Sequence, residues 1–271
     1  MRQEEASAAG LMARNLLCHV TGKTPEQVIA DRQLYASETW CLEMDRSVQR
    51  LLSGEPLAYV LGKWEFFGLP LQVDDRVLIP RDDTCAVTEL AIHYGLHLKT
   101  GPRILDLCTG SGCIGLAIAS RIKDARVTLA DISKDALAVA KTNITNLKLS
   151  ARVSCLQASA LEPAKPFLGK FDMIVSNPPY ITKSEMQELD ASVKDYEPHL
   201  ALYGGEDGLD FYRAICYNFK SALVPGGLLC FEFGMGQGND VCNILKENGF
   251  SILELSRDYN NIERAVIARF E

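Results

Sequence analysis

The hydrophobic rhythm of the chain changes twice along its length. Residues 1 to about 60 carry apolar positions at helical spacing and little strand signal. Thr24-Pro25-Glu26-Gln27 reads as a helix start, with Thr24 as N-cap, Pro25 at the first helical position and Gln27 at the third. Ser47-Val48-Gln49-Arg50-Leu51-Leu52 then runs to Gly54, which suits a helix end. This part reads as a small bundle of short amphipathic helices, with docking or support as its default role. Trp64-Glu65-Phe66-Phe67 and Leu69-Pro70-Leu71-Gln72-Val73 flank Gly68 as a hairpin, and Val77-Leu78-Ile79-Pro80-Arg81 follows it.

From about residue 86 the pattern alternates strand and helix. The predicted strands are Arg103–Leu107, Arg126–Asp131, Arg152–Gln157, Phe171–Ser176, Gly227–Phe233, Ser251–Arg257 and Glu263–Arg269. Helical patterns separate the first five, which implies right-handed crossovers and a mainly parallel sheet covered on both faces. Only Asp258-Tyr259-Asn260-Asn261 separates the last two, so they are expected to pair antiparallel. The fold class is therefore α/β and Rossmann-like. Seven strands ending in an antiparallel hairpin match a methyltransferase sheet better than a dinucleotide-binding dehydrogenase. The expected organisation is a helical docking domain over residues 1–60, a β-hairpin connector over 61–85 and the α/β domain over 86–271.

With 47% hydrophobic and 23% charged residues, the 271-residue chain has the composition of a soluble globular protein. No apolar stretch approaches the roughly 20 residues needed to span a bilayer. Met1-Arg2-Gln3-Glu4-Glu5 carries acids where a signal peptide would be basic, so the expected location is cytoplasmic. The nine cysteines are scattered and form no C-x-x-C pair, which indicates neither a zinc site nor a disulfide framework. His93 and His97 have i,i+4 spacing but lack the glutamate of a zinc-protease helix, and no metal is expected. The net charge of −7, with dispersed Lys and Arg, disfavours a nucleic-acid duplex as partner and favours a basic protein.

The most informative residues are Asn177-Pro178-Pro179-Tyr180, which follow the strand Phe171–Ser176. They fall on a loop at a strand's C-terminal end, where open α/β sheets bind ligands. Two prolines remove two backbone donors and stiffen the chain. Such a loop offers a side-chain amide and bare carbonyls to a planar NH₂ group. The Asn177 side-chain oxygen and the Pro178 carbonyl are the expected acceptors, with Tyr180 packed on the substrate amide.

A cofactor site is expected beside it. The first α/β strand ends at Asp106-Leu107 and runs into Cys108-Thr109-Gly110-Ser111-Gly112-Cys113-Ile114-Gly115. The glycines allow a tight turn and close backbone approach. Asp106 places a carboxylate where a pyrophosphate would be repelled, and it suits the cationic methionine end of S-adenosylmethionine. A buried Asp that ties the loop amides together is the equally compatible structural reading. Asp131 closes the second strand, at the spacing of an acid that receives two ribose hydroxyls. Ser159-Ala160-Leu161 occupies the usual place of the adenine contacts, and Asn177 borders the cofactor.

With these residues the chain resembles the PrmC/HemK family of protein-glutamine N5-methyltransferases. The resemblance spans nearly the whole chain. Its most specific segments are Glu55-Pro56-Leu57-Ala58-Tyr59-Val60-Leu61-Gly62, Leu78-Ile79-Pro80-Arg81, Glu197-Pro198-His199-Leu200-Ala201-Leu202 and Gly204-Gly205-Glu206-Asp207-Gly208-Leu209-Asp210. Asn-Pro-Pro-Tyr is shared with DNA-adenine and rRNA-guanine amino-methyltransferases. The resemblance implies methylation of the glutamine in the Gly-Gly-Gln motif of peptide chain release factors, with S-adenosylmethionine as donor, by a monomer without membrane or direct nucleic-acid contacts. A ribosomal-protein glutamine, a DNA adenine and a non-catalytic assembly role are the alternatives. Family members usually carry Gly at Cys108, Pro at Asp82, Glu at Cys85, and Asp with a bulky neighbour at Ser159-Ala160.

Overall fold

The computed structural model describes residues 2–271, with side chains from residue 9 onward. Four helices come first: α1 (Arg2–Thr21), α2 (Pro25–Ala30), α3 (Glu38–Leu52) and α4 (Leu57–Leu61). The α2 start is the predicted capping box, in which Thr24 accepts from the Gln27 N–H while the Gln27 side chain accepts from the Thr24 N–H. At the end of α3 the cap is Ser53, still right-handed, and Gly54 takes the positive φ of 94° one residue later. Two features differ from the sequence reading. One helix is long, at 20 residues, and α4 closes the helical part by crossing the residue 60/61 division into the segment read as a β-hairpin connector. The reason is tertiary: Val60 and Leu61 bury against Leu16 of α1, with Met44, Val48 and Leu51 of α3 around them.

The hairpin β1 (Lys63–Phe66) and β2 (Leu69–Gln72) is antiparallel and turns at Phe67-Gly68, where both φ angles are positive. Beyond it come α5 (Thr84–Gly95), β3 (Arg103–Leu107), α6 (Cys113–Arg121), β4 (Arg126–Asp131), α7 (Lys134–Asn146), β5 (Val153–Gln157) and β6 (Phe171–Ser176). Two short helices follow, α8 (Glu185–Glu188) and α9 (Ala191–Lys194), then α10 (Asp210–Phe219), β7 (Leu223–Glu232), α11 (Gly238–Glu247), β8 (Phe250–Arg257) and β9 (Glu263–Phe270). The seven-stranded sheet has the order β5-β4-β3-β6-β7-β9-β8. All pairs are parallel except β7–β9 and β8–β9, as the short final loop implied. β7 starts at Leu223 rather than Gly227, because Leu223 pairs with Phe171 across an irregularity in register that contains Pro225-Gly226. Those residues look like a turn in sequence and act as a bulge.

Strand parity assigns each residue to a layer. Ile104, Met173, Val175, Leu228 and Cys230 face α5 and α6, while Leu105, Leu107, Ile174, Leu229 and Phe231 face α10 and α11. The chain moves outward from β3 towards β5 and from β6 towards β8, so a crevice opens at the C-terminal ends of β3 and β6.

Asn143 of α7 fixes the hairpin to this crevice. Its side-chain oxygen accepts from the Gln72 N–H at 2.7 Å, and its NH₂ donates to the carbonyls of Gln72 at 3.0 Å and Ser111 at 2.9 Å, all without solvent access to Asn143. Replacing Asn143 with Leu leaves three backbone groups unpaired and is expected to cost about 2–4 kcal/mol in urea unfolding. A loss below about 0.5 kcal/mol would show that the clamp is dispensable.

Candidate active site

The crevice is built by two loops, one after β3 and one after β6. In the first, Gly110 and Gly112 have φ of 53° and 87°, and Cys108 is also left-handed at 60°. Glycine suits that last position, which accounts for its use there in the resembling family; a side chain at such an angle is strained by about 1–2 kcal/mol. The loop is held from beneath by Asp106. One carboxyl oxygen accepts from the Thr109 hydroxyl at 2.6 Å and the Gly115 N–H at 2.9 Å, and the other has no partner. Asp106 is inaccessible to solvent and does not line the cavity. The carboxylate expected to touch a ligand cation therefore stands behind the loop that it ties together.

Asp131 does line the cavity. Its two oxygens accept from the N–H groups of Gly110 and Ser133, each at 2.9 Å. Ser133 in turn caps α7 by accepting from the Ala136 N–H. A carboxylate has about four acceptor positions, so Asp131 keeps capacity for two hydroxyl groups. Cys108, Thr109, Gly110, Ser111, Ser159 and Ala160 also line the cavity, with Ile132, Ala158 and Leu161 beside them, while Gly112 lies behind.

Asn177 and Pro179 form the opposite wall. Asn177 donates from its side-chain nitrogen to the Thr84 hydroxyl at 3.3 Å, which leaves its oxygen for a ligand. Pro178 is buried, and neither it nor the Tyr180 side chain is among the residues lining the cavity. The place expected for Tyr180, over a substrate amide, is corrected accordingly: its ring packs towards Gly234 and the α10–α11 side of the core. Burial pushes its phenol pKa up.

Two segments singled out in the sequence, together with Gln237, brace this second loop. A Cβ on Gly204 would lie 2.6 Å from the Pro179 carbonyl oxygen, and one on Gly208, at φ 73°, would overlap the Tyr180 carbonyl oxygen. Gln237 also donates to that carbonyl at 3.1 Å, and the Ile181 N–H donates to Leu202 at 2.9 Å. The rim is strapped as well. Glu197 pairs with Arg81 and accepts from the Ile79 N–H at 3.1 Å, Tyr59 donates to the Val77 carbonyl at 2.6 Å, and Tyr196 donates to the Ser53 carbonyl at 2.6 Å. Val77, Leu78, Pro80, Pro198 and Leu200 thereby become part of the lining.

Sequence reasoning missed Thr84 and Glu232. The signal was present: Glu232 sits in the run Leu228-Leu229-Cys230-Phe231-Glu232-Phe233, and a carboxylate inside a central strand needs a reason.

This sheet, with a glycine-rich crevice after its first strand and an acid closing the next, defines a Rossmann-like methyltransferase of class I. Comparison with known proteins agrees. Residues 2–62 match the PrmC N-terminal domain and residues 89–195 the methyltransferase small domain. A release factor glutamine methyltransferase of Clostridium acetobutylicum is 41% identical over 253 residues, covering 93% of this chain and 88% of its own. One of Chlorobaculum tepidum is 40% identical over 265 residues, covering 94% and 88%. Among solved structures, the hMettl16 catalytic domain in complex with a 3'UTR hairpin superposes with a TM-score of 0.61 at 16% identity, over 79% of this chain and 81% of that one, and supports the fold. The chain belongs to the release factor glutamine methyltransferase family.

Two outcomes test this geometry. Gly208→Ala forces the Tyr180 backbone to move and is expected to cost about 1–3 kcal/mol and to lower turnover, measured by urea unfolding and initial rates. Burial raises the Asp106 pKa from 3.8 to about 7 in the folded protein. The folded state then binds this proton more tightly than the unfolded chain, so its contribution to stability is complete below about pH 4 and is lost as pH rises through 7. Between pH 5 and 8, wild type is expected to lose more stability than Asp106→Asn; equal losses would contradict the assignment.

Proposed function

We propose that this protein methylates the side-chain nitrogen of the glutamine in the Gly-Gly-Gln motif of peptide chain release factors, with S-adenosylmethionine as methyl donor. The observation that carries the reading is the Asn177 side chain, whose nitrogen is engaged by Thr84 while its oxygen is left for the cavity shared with Asp131 and the β3 loop.

The lining fits such a donor. Asp131 retains acceptor capacity for ribose hydroxyls, the backbone of Cys108 to Ser111 allows close approach, and Ile132, Ala158, Ala160 and Leu161 provide an apolar slot for adenine. Asp106 acts by shaping the loop from behind rather than by contact. When bound, the donor provides a methyl group already activated as a sulfonium.

An amide nitrogen is a poor nucleophile because its lone pair is delocalised, so the main task of the protein is positioning. The Asn177 oxygen and the Pro178 carbonyl each accept one N–H of the glutamine, which fixes the plane of its NH₂ group and aims the nitrogen at the methyl. Pro179 and the strapped rim exclude water, and Tyr180 braces the loop from behind. No His, Glu or Lys of the loop is placed as a general base, and the proton departs to solvent. The N-terminal helices grip the release factor away from the reacting loop. Among the described residues no helix is long and apolar enough to cross a membrane.

Asn177→Ala is expected to lower kcat about 10²–10³-fold, the usual loss for one preorganised hydrogen bond, while S-adenosylmethionine affinity changes little. Radiolabel from the donor should appear on a release factor and vanish when its Gly-Gly-Gln glutamine is changed to Ala. Label on DNA or a ribosomal protein alone would overturn the assignment.

A further inference from the structure

We infer that Glu232 is a positioning residue for the methyl transfer, acting through Thr84 to fix which end of the Asn177 amide faces the substrate. The inference rests on the reading of Asn177 as an acceptor for the glutamine NH₂.

Strand register brings the two residues together. β6 and β7 are parallel, with Val175 opposite Cys230 and Ser176 opposite Phe231, so Asn177 and Glu232 occupy the next level. Val175 and Cys230 share the face covered by α5, and parity turns Asn177 and Glu232 to that same face. Thr84, the first residue of α5, meets them there with 2% exposure. Glu232 is itself only 2% exposed, and its Oε2 has no partner. Thr84 and Asn177 both favour its ionised form and oppose the rise in pKa that burial causes.

A buried glutamate in a central strand is expensive, and nothing in the sheet requires one here. Its value lies in the direction it gives to a hydrogen-bond chain. The Asn177 nitrogen donates to the Thr84 hydroxyl, and that hydroxyl must find an acceptor. Once ionised, as pH rises through about 8, Glu232 can only accept, so in that form the chain runs from Asn177 through Thr84 to Glu232 and cannot reverse. The Asn177 oxygen is then left for the cavity. Were the amide flipped, two NH₂ groups would meet and the substrate would lose an acceptor. Burial, with the nearby Asp83, raises the Glu232 pKa to about 8, whereas Arg264 opposes the shift and Arg264 also pairs with Asp83 at 3.0 Å. The Tyr212 hydroxyl donates to the Glu232 backbone carbonyl at 3.0 Å and fixes the strand end.

The test is a double-mutant cycle measured at about pH 9, where Glu232 is ionised, with S-adenosylmethionine and a release factor. Glu232→Gln preserves volume but introduces a donor that lets the chain reverse. It is expected to lower kcat about tenfold or more, with S-adenosylmethionine affinity within about twofold. In an Asn177→Ala background the same change should alter kcat by less than about twofold, because its target is gone. Thr84→Val breaks the chain in the middle and should show the same loss and the same dependence on Asn177, while Thr84→Ser should keep wild-type turnover. This pair decides the matter should Glu232→Gln fail to fold. Equal losses with and without Asn177, or Thr84→Val matching Thr84→Ser, would overturn the inference. An Asn177→Ala enzyme with normal kcat would instead overturn the proposed function itself.

Discussion

The structure depends on buried carboxylates at the C-terminal end of the sheet. Asp106, Glu197 and Glu232 are buried and Asp131 is half-buried, each where a strand or the rim gives way to a loop. A carboxylate withdrawn from water must be met by donors, and here much of the supply is the loop that it holds. Asp106 takes the Thr109 hydroxyl and the Gly115 N–H, Asp131 takes the N–H groups of Gly110 and Ser133, and Glu197 takes the Ile79 N–H and Arg81. Each acid therefore converts a desolvation cost into a fixed loop shape. A site built to position two reactants, rather than to move protons, needs that rigidity most.

The two loops are held differently. The loop after β3 owes its shape to hydrogen bonds from within and to left-handed backbone at Gly110 and Gly112. The loop after β6 is clamped from outside, by Gly204 and Gly208 packed on its backbone and by the amide of Gln237. Asn143 connects the first loop to the hairpin, and the Tyr59 and Tyr196 contacts connect the rim to the N-terminal helices. A macromolecule seated on those helices would thus touch the same framework that shapes the reacting crevice.

Much of this was legible in the sequence. Strand alternation, the short loop before β9 and the Thr24 capping box are local signals that tertiary packing reinforces. The crevice after β3 was legible because Gly110 and Asp131 have spacings tied to backbone geometry. What escaped notice depended on contacts distant in sequence. α4 is stabilised by α1 and α3, and the start of β7 is fixed by pairing to Phe171 across a bulge. Thr84 lies 93 positions from the Asn177 that it binds. Asp106 and Tyr180 were recognised as members of the site but assigned to its surface, because a motif gives position in the chain and not depth. Glu232 was visible as an anomaly, a charge in an apolar strand, whose meaning appears only once parallel register sets it beside Asn177.

The central claim is that the Asn177 oxygen and the Pro178 carbonyl hold the glutamine NH₂ in line with the donor methyl. A crystal structure with S-adenosylhomocysteine and a Gly-Gly-Gln peptide tests it most directly. The account requires the glutamine nitrogen to lie within hydrogen-bond distance, about 2.7–3.2 Å, of both oxygens, with its plane presented to the sulfur. A glutamine nitrogen turned away from Asn177, or an Asn177 amide presenting its own nitrogen to the substrate, would contradict it.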